Sequence, residues 1–78
     1  MQMANQISEK LNMWKTKLVG LEKELEAVMQ RRGEAAAMGD LSENAAFQMA
    51  DEDVDVYQTR IDEVRKIIAD LEKGELNG

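Results

Sequence analysis

Apolar residues recur along this chain at alternating steps of three and four, in two separate stretches. The first stretch comprises Ile7, Leu11, Trp14, Leu18, Leu21, Leu25 and Val28, and continues in phase to Arg32 and Ala35. The second comprises Phe47, Ala50, Val54, Tyr57, Ile61, Val64, Ile68 and Leu71. A mean spacing of about 3.5 residues keeps a narrow apolar stripe on one side of a helix, which is typical of a coiled-coil seam. The pattern predicts two long amphipathic helices.

The register of the two helices can be derived because an antiparallel pair opposes a and d positions of the heptad. The predicted layers are Leu11 with Leu71, Trp14 with Ile68, Leu18 with Val64, Leu21 with Ile61, Leu25 with Tyr57, Val28 with Val54, Arg32 with Ala50, and Ala35 with Phe47. This register centres the loop on Leu41, whereas a slip by one heptad would move the bend away from Gly39. We therefore predict an all-α fold, a long two-helix antiparallel coiled-coil hairpin. Residues 1–78 form one domain, with helix 1 over about 6–38, the tip at 39–43 and helix 2 over about 42–73.

The residues at the predicted turn carry helix-boundary signals. Gly39 lacks a Cβ atom and suits the left-handed conformation that ends a helix. Asp40 can cap the second helix, and Glu43, three residues later, can complete a capping box. On residue types alone, this pair indicates a helix cap more strongly than a metal site, although a cap would also hold the two carboxylates in place. The remaining boundary signals are Asn5 or Ser8 for the start of helix 1 and Gly74 for the end of helix 2.

A two-helix hairpin of 78 residues buries only a seam, so its stability should be modest. Several apolar side chains nevertheless lie off the seam, namely Met13, Val19, Met29, Met49, Val56 and Ile67. Exposing all of them to water would be unfavourable. We therefore expect self-association, as a helical homodimer.

The residue types that are missing exclude several classes of mechanism. The chain has no cysteine and no histidine, which excludes disulfides, the usual zinc sites and a triad of nucleophile and base. It has no phosphate-binding glycine loop, no signal peptide and no apolar run long enough to span a bilayer. A cytoplasmic protein with no membrane partner is expected.

The negative charge is concentrated in the second half of the chain. The whole chain has ten basic and sixteen acidic residues and a net charge of -6. Four of the basic residues and eleven of the acidic ones lie in residues 39–78. Duplex DNA is therefore not an expected partner, because lysine and arginine contacts to phosphates supply most of that affinity. The acidic cluster is a solvated face that we expect to pair with Arg31 and Arg32; its members are Asp51, Glu52, Asp53 and Asp55.

The tip sequence Gly39-Asp40-Leu41-Ser42-Glu43-Asn44-Ala45 resembles that of the Gre-type (GreA/GreB) bacterial transcript cleavage factors. Their N-terminal domain is a coiled-coil hairpin of about this length. The resemblance implies a transcription elongation factor domain that enters the secondary channel of RNA polymerase. Asp40 and Glu43 would help to hold a Mg²⁺ ion that the polymerase supplies and mostly coordinates, and the hairpin would bind no cofactor in isolation. It would not be an enzyme itself, but would stimulate the polymerase's own cleavage of backtracked RNA.

The chain also departs from the family pattern. Where the family has an acidic residue and a tyrosine after Asn-Ala, this chain has Ala46 and Phe47. The tip has few basic neighbours, which does not favour contact with the RNA 3′ end. The family's C-terminal docking domain is absent from these 78 residues, which fits either an excised domain or a stand-alone hairpin. Two alternatives therefore remain: a channel-binding regulator that does not promote cleavage, and a coiled-coil assembly module.

Overall fold

The fold is a two-helix hairpin, seen in a computed structural model that describes residues 2–40 and 43–74, with side chains from residue 6 onwards. Helix α1 spans Gln2–Ala36 and helix α2 spans Ala45–Glu72. The two helices pack side by side over their length in a rod measuring 58 × 16 × 13 Å. The described residues contain no strand. The predicted all-α antiparallel hairpin is confirmed.

The seam between the helices is the hydrophobic core. Its centre is a cluster of Leu21, Ile61, Val64 and Ile68, against which Leu11, Trp14, Leu18, Leu25 and Tyr57 pack. Closer to the tip, Val28 is 1% exposed and Val54 is 3% exposed. These are the residues of the predicted heptad stripes, so the 3.5-residue spacing identified the core. No proline interrupts either helix.

Three ion pairs join the helices and report the register. Lys15 lies 3.6 Å from Glu72, Arg65 lies 3.1 Å from Glu22, and Arg32 lies 2.9 Å from Asp51. A slip of one heptad would displace each partner by about 10 Å along the rod and break all three pairs. The pairs therefore agree with the register derived from the seam.

The expected pairing between the acidic cluster and the neighbouring arginines is confirmed for one of the two arginines. Arg32 donates from Nη1 to Oδ1 of Asp51 at 2.9 Å. Arg31 makes no ion pair with any residue that the structure describes. Its side chain instead lines a groove that also contains Asp53.

The glycines predicted the C-terminal ends of the helices correctly, whereas the polar residues expected at the start of α1 did not predict where it begins. Lys73 caps the C-terminus of α2, and Gly74 follows with a φ of +77°, as predicted. Helix α1 ends at Ala36, and Gly39 then adopts a φ of +134°, which only glycine reaches easily. Because α1 begins at Gln2, the prediction that Asn5 or Ser8 starts it is wrong. Both residues lie inside the helix.

No helix in the described ranges combines the length and the apolar character needed to cross a membrane. Charged residues recur throughout both helices outside the seam, so neither helix contains a long apolar run.

Candidate functional site at the tip of the hairpin

The two predicted site residues lie at the end of the rod opposite the chain termini. Asp40 follows Gly39, and Glu43 belongs to a short turn before α2; both side chains are exposed. The Glu43 amide donates to the Asp40 carbonyl at 3.4 Å, so the two residues share one backbone turn. Leu41 and Ser42, between them, lie outside the described residues. The structure thus places both carboxylates on the same loop, facing solvent.

Asn44 connects the two helices at the tip. Its Oδ1 atom accepts a hydrogen bond from the Phe47 amide at 3.0 Å, which makes it the N-cap of α2. Its Nδ2 atom donates to the Ala35 carbonyl at 2.6 Å. One side chain therefore satisfies a backbone amide in the first turn of α2 and a carbonyl in the last turn of α1, groups that helix ends leave without intrahelical partners.

The expected capping box of Asp40 and Glu43 is wrong. The N-cap must directly precede the first helical residue, and α2 begins at Ala45, so the cap is Asn44. A capping box needs its acidic residue at the third position of the helix. Glu43 lies before the helix begins and therefore cannot have this role. The cap is therefore an uncharged amide. Asn44 was not among the boundary signals expected from the sequence, although asparagine is a favoured N-cap residue.

The tip is acidic but is not a complete metal site. No group of three or more carboxylates in the described part of the chain comes together in a way that could hold a metal ion. Magnesium commonly takes one or two protein carboxylates and completes its shell with water or phosphate oxygens. Two exposed carboxylates on one turn fit such a partial contribution, with the remaining ligands coming from elsewhere.

An apolar groove lies beside the tip, between the end of α1 and the first turns of α2. It has a volume of about 330 Å³, and its lining includes Met38, Met49 and Ala46 together with the charged Arg31, Glu34 and Asp53. Met38 is 79% exposed and Met49 is 66% exposed. Met49 was among the apolar residues expected off the seam. Met38 was not, although it lies one heptad after Arg31 and therefore also off the seam.

Phe47 differs from the two tip carboxylates in its burial. Its side chain is half-buried, whereas Asp40 and Glu43 are exposed. Its backbone amide donates to Asn44.

Comparison with known proteins identifies the family. A sequence profile of the GreA/GreB N-terminal domain, described as "Transcription elongation factor, N-terminal", matches residues 5–72. This chain belongs to the GreA/GreB family of transcription elongation factors. The match covers both helices and the tip, so the GreA/GreB assignment applies to the hairpin as a whole.

A curated relative supports the same family. The chain is 36% identical over 75 residues to "Transcription elongation factor GreA" of Mesomycoplasma hyopneumoniae (strain 232). The match covers 86% of this chain but 47% of that GreA protein, so the chain spans about half the length of the relative. No solved structure gives a significant match.

Proposed function

We propose that this hairpin inserts into the secondary channel of RNA polymerase and presents Asp40 and Glu43 to stimulate cleavage of backtracked RNA. The observation that carries this proposal is the position of two exposed carboxylates on one turn at the far end of a narrow rod. Membership of the GreA/GreB family supports a role in transcription elongation, with the polymerase as the partner.

The dimensions of the rod suit delivery of a side chain into a deep channel. The molecule is 58 Å long but only 16 × 13 Å in cross-section. Two continuous helices packed along one seam resist bending better than a single helix, because bending would disturb the layers of buried side chains. The shaft can thus carry the tip into a passage that would exclude a globular domain.

The tip carboxylates would assist the polymerase by helping to hold a Mg²⁺ ion next to its catalytic centre. When bound, such an ion would polarise a phosphoryl oxygen and lower the pKa of a coordinated water. Asp40 and Glu43 would contribute negative charge and oxygen ligands, and the polymerase would contribute the rest. The hairpin would therefore be inert as an enzyme, because the cleaving centre belongs to its partner.

Asn44 would act as a positioning residue in this mechanism. Its two hydrogen bonds tie the start of α2 to the end of α1, and Glu43 immediately precedes it. Holding both ends of a short loop restricts the positions that the loop's carboxylates can adopt. Such pre-organisation lowers the entropic cost of placing ligands around an ion.

The test is a transcript cleavage assay on purified, backtracked polymerase complexes in Mg²⁺ buffer. The wild-type chain should accelerate release of short RNA 3′ fragments, and Asp40→Ala with Glu43→Ala should abolish that acceleration. The matched control is Glu52→Ala with Asp55→Ala, which removes the same charge from exposed sites on the shaft. Full activity in the tip variant, or equal loss in the control, would contradict the proposed role of the tip.

A channel-binding regulator without cleavage activity is the second candidate. It is favoured by the composition around the tip, where Phe47 lacks the tyrosine hydroxyl of the family pattern and its side chain is half-buried. This candidate predicts that the chain displaces a labelled channel-binding factor from polymerase while RNA length stays unchanged. Acceleration of cleavage by the wild-type chain would exclude it. An assembly module unrelated to transcription would instead fail to bind polymerase.

A further inference from the structure

The groove beside the tip contains the two most exposed of the large apolar side chains that the structure describes. Met38 is 79% exposed and Met49 is 66% exposed, and both line this groove. Ala35 and Ala50 also line it and are buried, so small side chains occupy the part of the groove nearest the seam. Apolar side chains scattered singly over a surface are ordinary, whereas two that share a groove indicate a contact surface.

The charged groups around this groove are mostly acidic. Glu34 and Asp53 line it together with one base, Arg31. The adjoining tip loop adds two exposed carboxylates, those of Asp40 and Glu43. Four acidic groups and one basic group thus surround the two exposed methionines. Such a surface is complementary to a partner that is apolar at its centre and basic at its edge.

We propose that the groove binds a segment of the polymerase that presents an apolar side chain flanked by lysine or arginine, and that this contact contributes affinity. The inference rests on the proposed entry of the hairpin into the polymerase channel, but not on cleavage. Met38 directly precedes Gly39, and the α2 residues that line the groove end at Asp53, about 12 Å from the start of α2. The whole rod is 58 Å long. A passage that admits the tip therefore also surrounds the groove, and its wall covers the two methionines.

Methionine suits a contact of this kind. Its unbranched thioether is flexible and polarizable, so Met38 and Met49 can adjust to the shape of the side chain that they meet. Met38 follows the end of α1, whereas Met49 lies in the second turn of α2. A side chain seated between them would therefore contact both ends of the hairpin loop. Covering the two methionines favours binding in proportion to the apolar area removed from water.

RNA is a less suitable occupant of the groove than a basic protein segment. Binding of nucleic acids depends on lysine and arginine contacts to phosphates, and Arg31 is the only basic residue among the described residues that line the groove. The surrounding carboxylates would repel the phosphates. A second copy of this chain is the other competing occupant, and it would cover the methionines without the polymerase. Both alternatives give distinct outcomes in the tests.

The first test measures binding of the fluorescently labelled full chain to purified core RNA polymerase by anisotropy. Met38→Gln with Met49→Gln keeps the length of both side chains but removes their apolar surface, and it should weaken binding by roughly tenfold. The matched control is Met13→Gln with Met29→Gln, at positions outside this groove that are 57% and 45% exposed. The control should bind like the wild type. Circular dichroism establishes that every variant folds.

The second test reverses one charge at the groove. Glu34→Lys places a base where the partner is expected to be basic, so it should weaken binding at low salt and have a smaller effect at high salt. The control, Glu9→Lys, makes the same change at an exposed residue near the opposite end of the rod and should alter binding little. RNA in the groove predicts the opposite sign. Tighter binding of Glu34→Lys, seen only in complexes that contain a transcript, would overturn the proposal.

A second copy as the occupant is tested by sedimentation equilibrium of the isolated chain at high micromolar concentration. A wild-type dimer that Met38→Gln with Met49→Gln converts to a monomer would identify the second copy as the occupant and overturn the proposal. A monomer, or a dimer that these substitutions leave intact, would agree with it.

Failure of this inference and failure of the proposed function give different results. If the wild type binds polymerase and accelerates cleavage, but the groove variant binds as tightly as its control, the inference is overturned and the proposed function stands. If the groove variant binds more weakly while the wild type does not accelerate cleavage, the inference is supported and the cleavage role is contradicted. A wild-type chain that does not bind polymerase would overturn both.

Discussion

The shaft and the tip of this hairpin are held together by different forces. In the shaft, apolar layers are removed from water, and the buried residues of the described chain are all apolar. At the tip, one amide side chain ties the helices with two hydrogen bonds, and both candidate carboxylates are exposed. Stability is thus concentrated in the shaft, whereas the chemistry that we propose is at the tip. Substitutions can therefore test the two regions separately.

The largest effect should come from the centre of the shaft. Ile61 is 3% exposed and belongs to the core cluster, so Ile61→Ala should cost about 2–5 kcal/mol of unfolding free energy through lost burial and a cavity. The measurement is urea unfolding followed by circular dichroism.

The control for the core substitution is Val19→Ala, at an apolar position in the same hairpin that is 50% exposed. Little destabilisation is expected there, because the side chain is already partly in water and alanine favours the helix. Equal losses in the two variants would mean that the seam does not dominate the stability of the shaft.

An intermediate effect is expected at the tip, where Asn44→Ala removes both hydrogen bonds. Loss of an N-cap typically costs about 1–2 kcal/mol. Asn44→Asp separates the two bonds, because a carboxylate still accepts from the Phe47 amide but cannot donate to the Ala35 carbonyl. Hydrogen exchange should therefore show protection of the Phe47 amide in Asn44→Asp and its loss in Asn44→Ala. Equal protection in both would argue against the capping role.

The same contrast explains what could be predicted from the sequence. The seam repeats the same requirement in every heptad, so the spacing of residues such as Leu21 and Ile61 was enough to assign them to the core. The position of Gly39 then selected the register. The N-cap of α2 was harder, because Asp40 with Glu43 forms a local capping pattern, whereas Asn44 is selected by a contact with Ala35 on the other helix. Local sequence patterns do not contain such contacts.

A smaller effect should come from the ion pairs along the shaft. A double-mutant cycle on Arg32 and Asp51 should give a coupling free energy of about 0.2–1 kcal/mol, since exposed pairs are screened by water and salt. The Lys15 and Glu72 pair, at 3.6 Å and with both side chains 53% exposed, should give less. The measurement is urea unfolding at low and moderate salt. Coupling that does not decline with salt would show that the Arg32 contact is not mainly electrostatic.

The smallest effect should appear only at alkaline pH. The Glu24 carboxylate raises the pKa of Tyr57 above its usual 10.0, through a hydrogen bond to the hydroxyl and repulsion of the phenolate. Because the pKa is higher in the folded state, this contribution to stability is present below pH 10 and is lost as the pH rises through the folded-state pKa. Tyr57→Phe should therefore flatten the decline in unfolding free energy above about pH 10, while changing its slope at neutral pH little.

The cause of that pKa shift can be tested directly, since Tyr57 is the single tyrosine of the chain. Titration of phenolate absorbance in the folded protein should give a midpoint above the value for the urea-unfolded chain. Glu24→Gln removes the charge but keeps an acceptor, so it should bring the midpoint down towards the unfolded value. Asp53→Asn should lower it less, because that carboxylate acts only through its charge and contributes less to the shift. The reverse order would place the dominant contact of Tyr57 within its own helix instead of across the seam.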